Sequence, residues 1–336
     1  MPRNPADKRL AKRRLGGREA AGPGAKASNA APPSGGAVAV MATTRRHAKA
    51  KAEETALQTR VTAPLRKEHR EPTGSWGLRN RLARIIRADG RGVMLAVDHG
   101  YFLGPTSRLE NLNRAIGPLL PHIDALFCTR GVLRTSIPPD TPTPVVLRVS
   151  GGPSIVGPTL ANEHLTTSMR DAVRLNAAGV GMSLFIGTEH ESQTVANLGR
   201  LVDEGEEVGM PVLAITAVGK ELEKRDARFL GLCCRIAAEI GAHLVKTYYC
   251  EDFAKVVEGC PAPIVVAGGP KLPEAEALEL TANALAGGAV GVDMGRNIWQ
   301  SDHPVAMVRA VRAIVHEDHT AKEALSLYRE LAGRDR

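Results

Sequence analysis

A lysine inside a short apolar segment is the first residue of this sequence that suggests chemistry. Lys246 lies in the β-rich run from His243 to Tyr249. Burial lowers the pKa of a lysine, and the resulting neutral amine can attack a carbonyl carbon to form a Schiff base. The structural alternatives are a surface position or an ion pair with a carboxylate. The residue types alone leave these interpretations open.

Polar residues also stand at the ends of other apolar runs. Asp98 and His99 close the first such run of the main part of the chain, Arg148 lies in the third and Asp293 in the eighth. An aspartate could stabilise an iminium ion or move a proton, and a histidine could act as a general acid or base. A structural cap of the strand is the alternative for Asp98 and His99. We predict that both act in catalysis together with Lys246.

Two glycine-containing turns follow the seventh and eighth apolar runs. They contain Gly268 and Gly269 in the first case, and Gly295 and Arg296 in the second. Backbone amides can approach a phosphate closely where no Cβ intervenes, and an arginine adds a charge-assisted contact. We predict that these residues and Arg148 bind a phosphorylated substrate. Ordinary tight turns are the alternative.

A regular series of elements must position these residues. Short apolar runs alternate with longer amphipathic segments, which is the pattern of strand and helix units in a parallel sheet. We predict strands at 93–97, 125–128, 145–149, 180–186, 212–217, 243–248, 264–267 and 290–294. We predict helices at 77–86, 169–178, 194–206, 221–240, 273–286, 304–315 and 321–331.

Eight such units predict an α/β fold of the (β/α)8 TIM-barrel type. In such barrels the active site lies at the C-terminal ends of the strands, and the loops after strands seven and eight often bind phosphate. The polar residues named above should therefore face one mouth, while helix 77–86 could cover the opposite end. An open doubly wound sheet is the alternative, but its phosphate fingerprint is missing after the first strand.

The positive charge of the chain is concentrated at its N-terminal end. The 336 residues carry a net charge of +8, yet residues 1–70 hold 16 of the 44 Lys and Arg and only 5 of the 36 Asp and Glu. This part is rich in Ala, Gly and Pro and has too little apolar surface to offset the entropy of ordering. We predict a basic, disordered extension over 1–73, with Met41 as an alternative start, and a catalytic barrel over 74–336. A nucleic-acid or membrane-surface arm is the functional alternative.

The sequence does not indicate a membrane-spanning, disulfide-stabilised or metal-binding protein. It contains neither a signal-peptide core nor a run approaching the roughly 20 apolar residues of a membrane span. The five cysteines include no C-x-x-C pair, and the histidines are scattered over different units. We therefore expect a cytoplasmic protein without a bound metal.

Four stretches carry a resemblance to a known family. Residues 93–102, 128–131, 245–249 and 291–298 are similar to motifs of the class I aldolases that include archaeal-type fructose-bisphosphate aldolase. They are closer still to thiolase members of that family, which act on phosphorylated autoinducer-2. The likeness spans about residues 74–333. It implies that Lys246 is the Schiff-base lysine, that Asp98 is the family's strand-one aspartate, and that the chain forms ring-like homo-oligomers, often decamers.

The closer resemblance also implies a reaction. It implies transfer of an acetyl group from a phosphorylated 1,3-diketone to coenzyme A, which gives dihydroxyacetone phosphate and acetyl-CoA. Coenzyme A would be a co-substrate, and no cofactor would be permanently bound.

One departure from the family pattern separates two reactions. Aldolases of this family place a tyrosine near the end of strand five, where it handles the proton of the hydroxyl at the breaking bond. Residues 211–220 contain no tyrosine. Cleavage of a diketone by a thiolate does not need that group, so acetyl transfer is favoured, although Tyr248 or Tyr249 could replace it. A sugar-phosphate aldolase, a dideoxy-heptulosonate synthase and a non-enzymatic protein that binds nucleic acid through its basic arm are the alternatives.

Overall fold

The computed structural model describes residues 74–217 and 226–334. The predicted extension over 1–73 lies outside the described residues, as do positions 221–225 of the predicted helix 221–240. The described residues form a barrel of strands and the helices around it.

Eight parallel strands close into a barrel, so the predicted fold is confirmed. Its strands are β1 Gly92–Ala96, β2 Ala125–Thr129, β3 Val145–Arg148, β6 Gly179–Leu184, β7 Val212–Thr216, β8 Leu244–Tyr248, β9 Ile264–Ala267 and β10 Gly291–Met294. They follow one another around the barrel in sequence order, and β10 pairs with β1. A small antiparallel hairpin, β4 Ser150–Gly151 and β5 His164–Leu165, follows β3 and was not predicted. The bounds of each barrel strand differ from prediction by no more than two residues.

Helices surround the described barrel. They are α1 Trp76–Ile85, α2 Gly100–Leu103, α3 Leu112–Ile116, α4 Arg130–Ser136, α5 Met169–Arg174, α6 Glu191–Val208, α7 Ala227–Glu239, α8 Phe253–Gly259, α9 Glu274–Ala286, α10 Arg296–Trp299, α11 Pro304–Glu317 and α12 Ala321–Arg334, with a 3-10 helix at Gly117–His122. The predicted helix 169–178 is shorter than expected. It ends at Arg174 because Asn176 takes a left-handed conformation with φ 55°. No helix in the described residues is long and apolar enough to cross a membrane.

Two apolar layers build the core. Alternate residues of the strands fill the inside of the barrel, among them Met94, Phe127 and Leu213, and the other face of each strand packs against the helices. Ile85, the last residue of α1, belongs to the inner cluster and is 2% exposed. Helix α1 therefore closes the end of the barrel at which the strands begin, as predicted. The charged residues of the strands lie toward the opposite end of the barrel, which is its mouth.

Candidate active site

The lysine of the sixth barrel strand forms an ion pair inside the barrel. Lys246 lies in β8, and its Nζ atom donates a hydrogen bond to Oδ2 of Asp293, in β10, at 2.8 Å. The side chain of Lys246 is 11% exposed and that of Asp293 is fully buried. Nζ also lies 5.4 Å from the centroid of the Phe127 ring in β2. The amine therefore lies inside the barrel and not at the surface, and the ion pair with a carboxylate that was named as a structural alternative is present.

Asp293 is placed to exchange a proton with this amine. Burial raises the pKa of Asp293; the Lys246 ammonium offsets part of the rise, and the charge of Asp98 adds to it. A carboxylate with a raised pKa is a stronger base than an ordinary one. Its other oxygen, Oδ1, is buried and has no hydrogen-bond partner within the described part of the chain. Transfer of a proton from Lys246 to Asp293 would leave the neutral amine that carbonyl attack requires.

His99 lies at the same mouth as a neutral imidazole. Burial is the main cause that lowers its pKa to about 4; Asp98 opposes this shift, whereas the charges of Lys246, Arg296 and Arg148 favour it. The ring packs edge-on against Trp299, with 5.5 Å between ring centroids. Its Nδ1 atom lies 3.7 Å from an oxygen of Asp98, which is too far for a hydrogen bond. The imidazole is therefore neutral and a weak base at pH 7, so it can relay a proton between neighbouring groups but does not hold one.

Asp98 is held in place by a buried arginine. Nη1 of Arg148, in β3, donates to Oδ2 of Asp98 at 3.1 Å, and Nη2 donates to both oxygens of Glu163 at 2.8 Å. Nη2 also contacts the hydroxyl of Tyr101 and, at 2.6 Å, that of Ser183. Arg148 is 5% exposed. Because its donors are occupied by protein groups, the geometry favours a positioning role for Arg148 over the predicted phosphate contact.

The two predicted phosphate turns lie side by side after β9 and β10. Gly269 has φ 68°, a conformation that favours glycine, and open space surrounds the position of its missing Cβ. At Gly295 an added Cβ would lie 2.7 Å from the carbonyl oxygen of Ala96 and 2.7 Å from a ring carbon of His99. The absence of a side chain therefore lets this turn lie directly against β1 and His99.

Asn297 joins these two turns and was not predicted as a site residue. Its amide nitrogen donates to the carbonyl oxygen of Gly268 at 2.6 Å, and its amide oxygen accepts from the backbone N–H of Leu272 at 2.7 Å. Asn297 is fully buried. It lies within the family-like stretch 291–298, which is the signal that could have pointed to it.

The end of strand five offers no phenol among the described residues. Ile215 of β7, which pairs in register with Lys246, packs against the apolar cluster inside the barrel. The next residue, Thr216, contacts the hydroxyl of Thr247 at 2.8 Å. Tyr249, one of the two candidate replacements, packs its ring against Phe253 with 5.5 Å between centroids. This part of the mouth is apolar on the side that faces the barrel.

Sequence reasoning missed the groups that support Asp98. Glu163 follows β3 in an irregular segment with no periodicity or motif, so nothing in the sequence singles it out. Tyr101 lies in the family-like stretch 93–102, and its hydroxyl donates to Glu163 at 2.5 Å. Burial raises the pKa of Tyr101 far above its usual range, so the phenol stays protonated. Asp293 was recognised as a polar residue of the eighth strand, but no sequence feature indicated that it pairs with Lys246.

No group of three or more His, Cys, Asp and Glu side chains in residues 74–217 and 226–334 has a geometry that could hold a metal ion. The five cysteines are buried free thiols. Burial raises the pKa of Cys250, which disfavours the thiolate form that a nucleophile needs.

Known proteins are similar to this chain over most of the barrel. The model of the DeoC/LacD family of aldolases matches residues 92–301. A protein of Escherichia coli strain K12 named 3-hydroxy-5-phosphonooxypentane-2,4-dione thiolase is 55% identical over 255 residues, covering 75% of this chain and 87% of that protein. A protein of the same name from Enterobacter sp. strain 638 is 53% identical over 257 residues, covering 76% and 86%.

A solved structure extends the similarity to the fold. It is described as a Schiff-base-forming fructose-1,6-bisphosphate aldolase and aligns with a TM-score of 0.65 at 25% identity. The alignment covers 71% of this chain and 100% of that structure.

Proposed function

The chain belongs to the DeoC/LacD family of aldolases, and on that premise we propose that it transfers an acetyl group from phosphorylated autoinducer-2 to coenzyme A. The donor would be 3-hydroxy-5-phosphonooxypentane-2,4-dione, after which two thiolases similar to this chain are named. The buried pair of Lys246 and Asp293, 2.8 Å apart, is the observation that carries the proposal.

The first step is formation of the Schiff base. Asp293 takes a proton from Lys246, and the amine attacks the ketone carbon next to the phosphorylated methylene group. Loss of water gives an iminium ion, whose positive charge the Asp98 carboxylate can stabilise. Arg148 holds Asp98 in position through the bond at 3.1 Å. The neutral imidazole of His99 is available to move the protons of water elimination.

The second step cleaves the bond between the acetyl group and the neighbouring hydroxylated carbon. The thiolate sulfur of coenzyme A bonds to the acetyl carbonyl carbon, and the electron pair of the breaking bond moves into the iminium to give an enamine. The enamine carbon then takes up a proton that balances the one lost by the thiol. Hydrolysis releases dihydroxyacetone phosphate and restores Lys246.

The apolar end of β7 supports acetyl transfer over aldol cleavage. Aldol cleavage must remove a hydroxyl proton at the breaking bond, whereas thiolate attack on a carbonyl has no such proton to remove. Ile215 and Thr216 end β7, near where the resemblance implies that an aldolase of this family carries its tyrosine. The fructose-bisphosphate aldolase is the second candidate, because the similar solved structure is named for that activity.

Several further features belong to this proposal. The turns with Gly268, Gly269, Gly295 and Arg296 bind the phosphate of the ketone, and coenzyme A acts as a co-substrate with no permanently bound cofactor. We expect a ring-like homo-oligomer in the cytoplasm whose activity removes a quorum-sensing signal.

The proposal is tested by product analysis of the purified full chain. Incubation with the phosphorylated diketone and coenzyme A should give acetyl-CoA and dihydroxyacetone phosphate in equal amounts, and none when coenzyme A or the Lys246 amine (Lys246→Met) is missing. Cleavage of fructose 1,6-bisphosphate without formation of acetyl-CoA from the diketone would overturn it in favour of the aldolase.

A further inference from the structure

A cleft beside the barrel mouth has no role in the reaction as described so far. It has a volume of about 260 Å³, and its lining includes Tyr101, Thr129, Arg130, Arg148, Gly151 and Thr166. Two of its lining residues reach toward the site: Arg148, which holds Asp98, and Tyr101, which contacts Arg148. Thr129 lies two residues beyond Phe127 on the same face of β2. The centroid of the Phe127 ring lies 5.4 Å from the Lys246 amine. The cleft therefore opens onto the reaction site.

The outer end of the cleft carries an excess of positive charge. Arg130 lines the cleft and bonds to Asp171 at 3.3 Å, and the same carboxylate bonds to Arg134 at 3.1 Å and to Arg174. Within the described chain, no other carboxylate pairs with these three arginines. Their side chains are 45%, 45% and 74% exposed, respectively. Three guanidinium groups share one carboxylate, so the cluster can still attract an anion.

Neither the pairing with Asp171 nor the ketone phosphate explains all three arginines. Asp171 is 9% exposed and needs one counter-charge, whereas three guanidinium groups surround it, and no second carboxylate within the described chain balances the other two. The turns proposed for the ketone phosphate follow β9 and β10, on the other side of β1 from the cleft at β2 and β3. The cluster is thus suited to a second anionic ligand that reaches the site from this side.

We propose that the cleft and the arginine cluster bind the acyl-accepting thiol. The ligand is a thiol at the end of an uncharged amide-containing arm whose other end carries several phosphate groups. The arm lies between the small and hydroxyl-bearing residues Thr129, Gly151 and Thr166, which offer backbone and hydroxyl groups to its amides. The phosphates lie against Arg130, Arg134 and Arg174. This assignment rests on the proposed acetyl transfer, for which coenzyme A has the required chemistry.

The test compares two thiols in a variant that loses the outer charges. In Arg134→Gln/Arg174→Gln, the KM for coenzyme A should rise about tenfold, which corresponds to about 0.7 kcal/mol for each of the two lost charge contacts. The KM for N-acetylcysteamine, a thiol without phosphates, and the KM for the diketone should stay within about twofold of wild type. Arg200→Gln is the matched control, because Arg200 forms an exposed pair with Glu204 at 2.8 Å elsewhere on the barrel. It should change none of the three values.

A second variant tests the cleft itself. Thr166→Tyr should fill the cleft and raise the KM for both thiols, while borohydride still traps the diketone on the enzyme. An unchanged KM for coenzyme A in Arg134→Gln/Arg174→Gln would overturn the proposal. A rise in the KM for fructose 1,6-bisphosphate alone would assign the cluster to the second phosphate of a sugar bisphosphate, and would also overturn it.

Calorimetry separates failure of the site from failure of the proposed function. If wild type transfers no acetyl group but binds coenzyme A, and the double variant binds it at least about tenfold more weakly, the site stands without the reaction. If wild type neither binds coenzyme A nor forms acetyl-CoA, both proposals fall. If wild type forms acetyl-CoA and the double variant binds coenzyme A as wild type does, only the site falls.

Discussion

At the residue scale, the reactivity of Lys246 depends on a partner that takes its proton. Asp293 is fully buried and contacts the amine directly, and burial raises its pKa. Its base form is therefore lost on acidification at a higher pH than for an exposed aspartate. The low-pH limb of the activity profile should reflect this group.

Asp293→Asn should lower kcat by about a hundredfold or more, the usual contribution of a positioned acid or base. It should also remove the acidic limb of the pH profile, because the amide does not titrate. Stopped-time assays of acetyl-CoA between pH 4 and 9 measure both effects. If Asp293→Asn keeps the acidic limb of the wild-type pH profile, that limb arises from the titration of another group. Asp252→Asn, which changes a comparable but exposed Lys–Asp pair at 2.6 Å, is the matched control and should alter neither value.

Arg148 is the second residue whose role the structure defines. It connects Asp98 with Glu163 and is 5% exposed. Arg148→Met should reduce the free energy of unfolding by about 3–5 kcal/mol, because two buried carboxylates lose their counter-charge. Urea unfolding of the variant measures this loss. A loss below about 1 kcal/mol with a raised KM for the ketone would instead support the direct phosphate contact predicted from the sequence.

At the scale of elements, the strands could be predicted because each is a short, largely apolar run between amphipathic segments. The hairpin of β4 and β5 could not be predicted from the sequence, because strands of two residues are too short to show a periodic pattern. Asn176 is of a residue type that often ends helices, and it adopts φ 55°, but the apolar residues Ala177 and Ala178 after it made the helical pattern appear to continue. From the positions of Lys246, Asp98 and His99 at strand ends we could predict that they share one mouth. The side-chain pairs across the barrel depend on register and rotamers, which the sequence does not display.

The contact between the last barrel turn and β1 gives a prediction at this scale. Gly295→Ala places a Cβ 2.7 Å from the backbone oxygen of Ala96 and 2.7 Å from His99. Movement of a flexible side-chain end cannot relieve both of these close contacts, because one of them is with the backbone, so the turn must shift. We expect a loss of about 1–3 kcal/mol in the free energy of unfolding and a lower activity.

Gly231→Ala is the matched control for this change. Gly231 lies inside helix α7, and apart from its chain neighbours and the backbone of its own helix no atom lies within 4 Å of the position of an added Cβ. The substitution should therefore stabilise the protein by about 0.5–1 kcal/mol, because alanine favours helix. Equal effects of the two substitutions in urea unfolding would contradict the close approach at Gly295.

At the scale of the whole barrel, chemistry and stability occupy opposite ends. The strand ends that carry Lys246 form the reaction mouth, whereas a buried ion cluster lies at the base. There, Asp124 accepts hydrogen bonds from the backbone of Val93 and from Arg312, and His316 contacts Asp124 at 2.7 Å and Asp89 at 2.6 Å. This cluster ties α11 to the starts of β1 and β2.

The base cluster makes stability depend on pH. Burial opposes the charged form of His316, but hydrogen bonds to Asp124 and Asp89 outweigh it and raise its pKa above 6.5. Its stabilising contribution is therefore complete below pH 6.5 and is lost as pH rises through the raised pKa. His316→Gln should lower the free energy of unfolding by about 1 kcal/mol at pH 6 and by less at pH 9.

Thermal or urea unfolding of both proteins across this pH range measures the difference. His164→Gln makes the same change at an exposed histidine of the hairpin and should show no such pH dependence. A His316→Gln deficit that grows with pH would reverse the expected sign and contradict the ion cluster.

The central claim is that Lys246 forms a Schiff base with a phosphorylated ketone, and trapping with mass spectrometry tests it most directly. The full chain is incubated with dihydroxyacetone phosphate, reduced with borohydride and digested with trypsin. We predict a single adduct on the peptide that spans Lys246, with loss of tryptic cleavage at that residue and no adduct in Lys246→Met. An adduct on Lys271, which lies beside the phosphate turn and pairs with Glu274 at 2.9 Å, or no adduct at all, would contradict the claim.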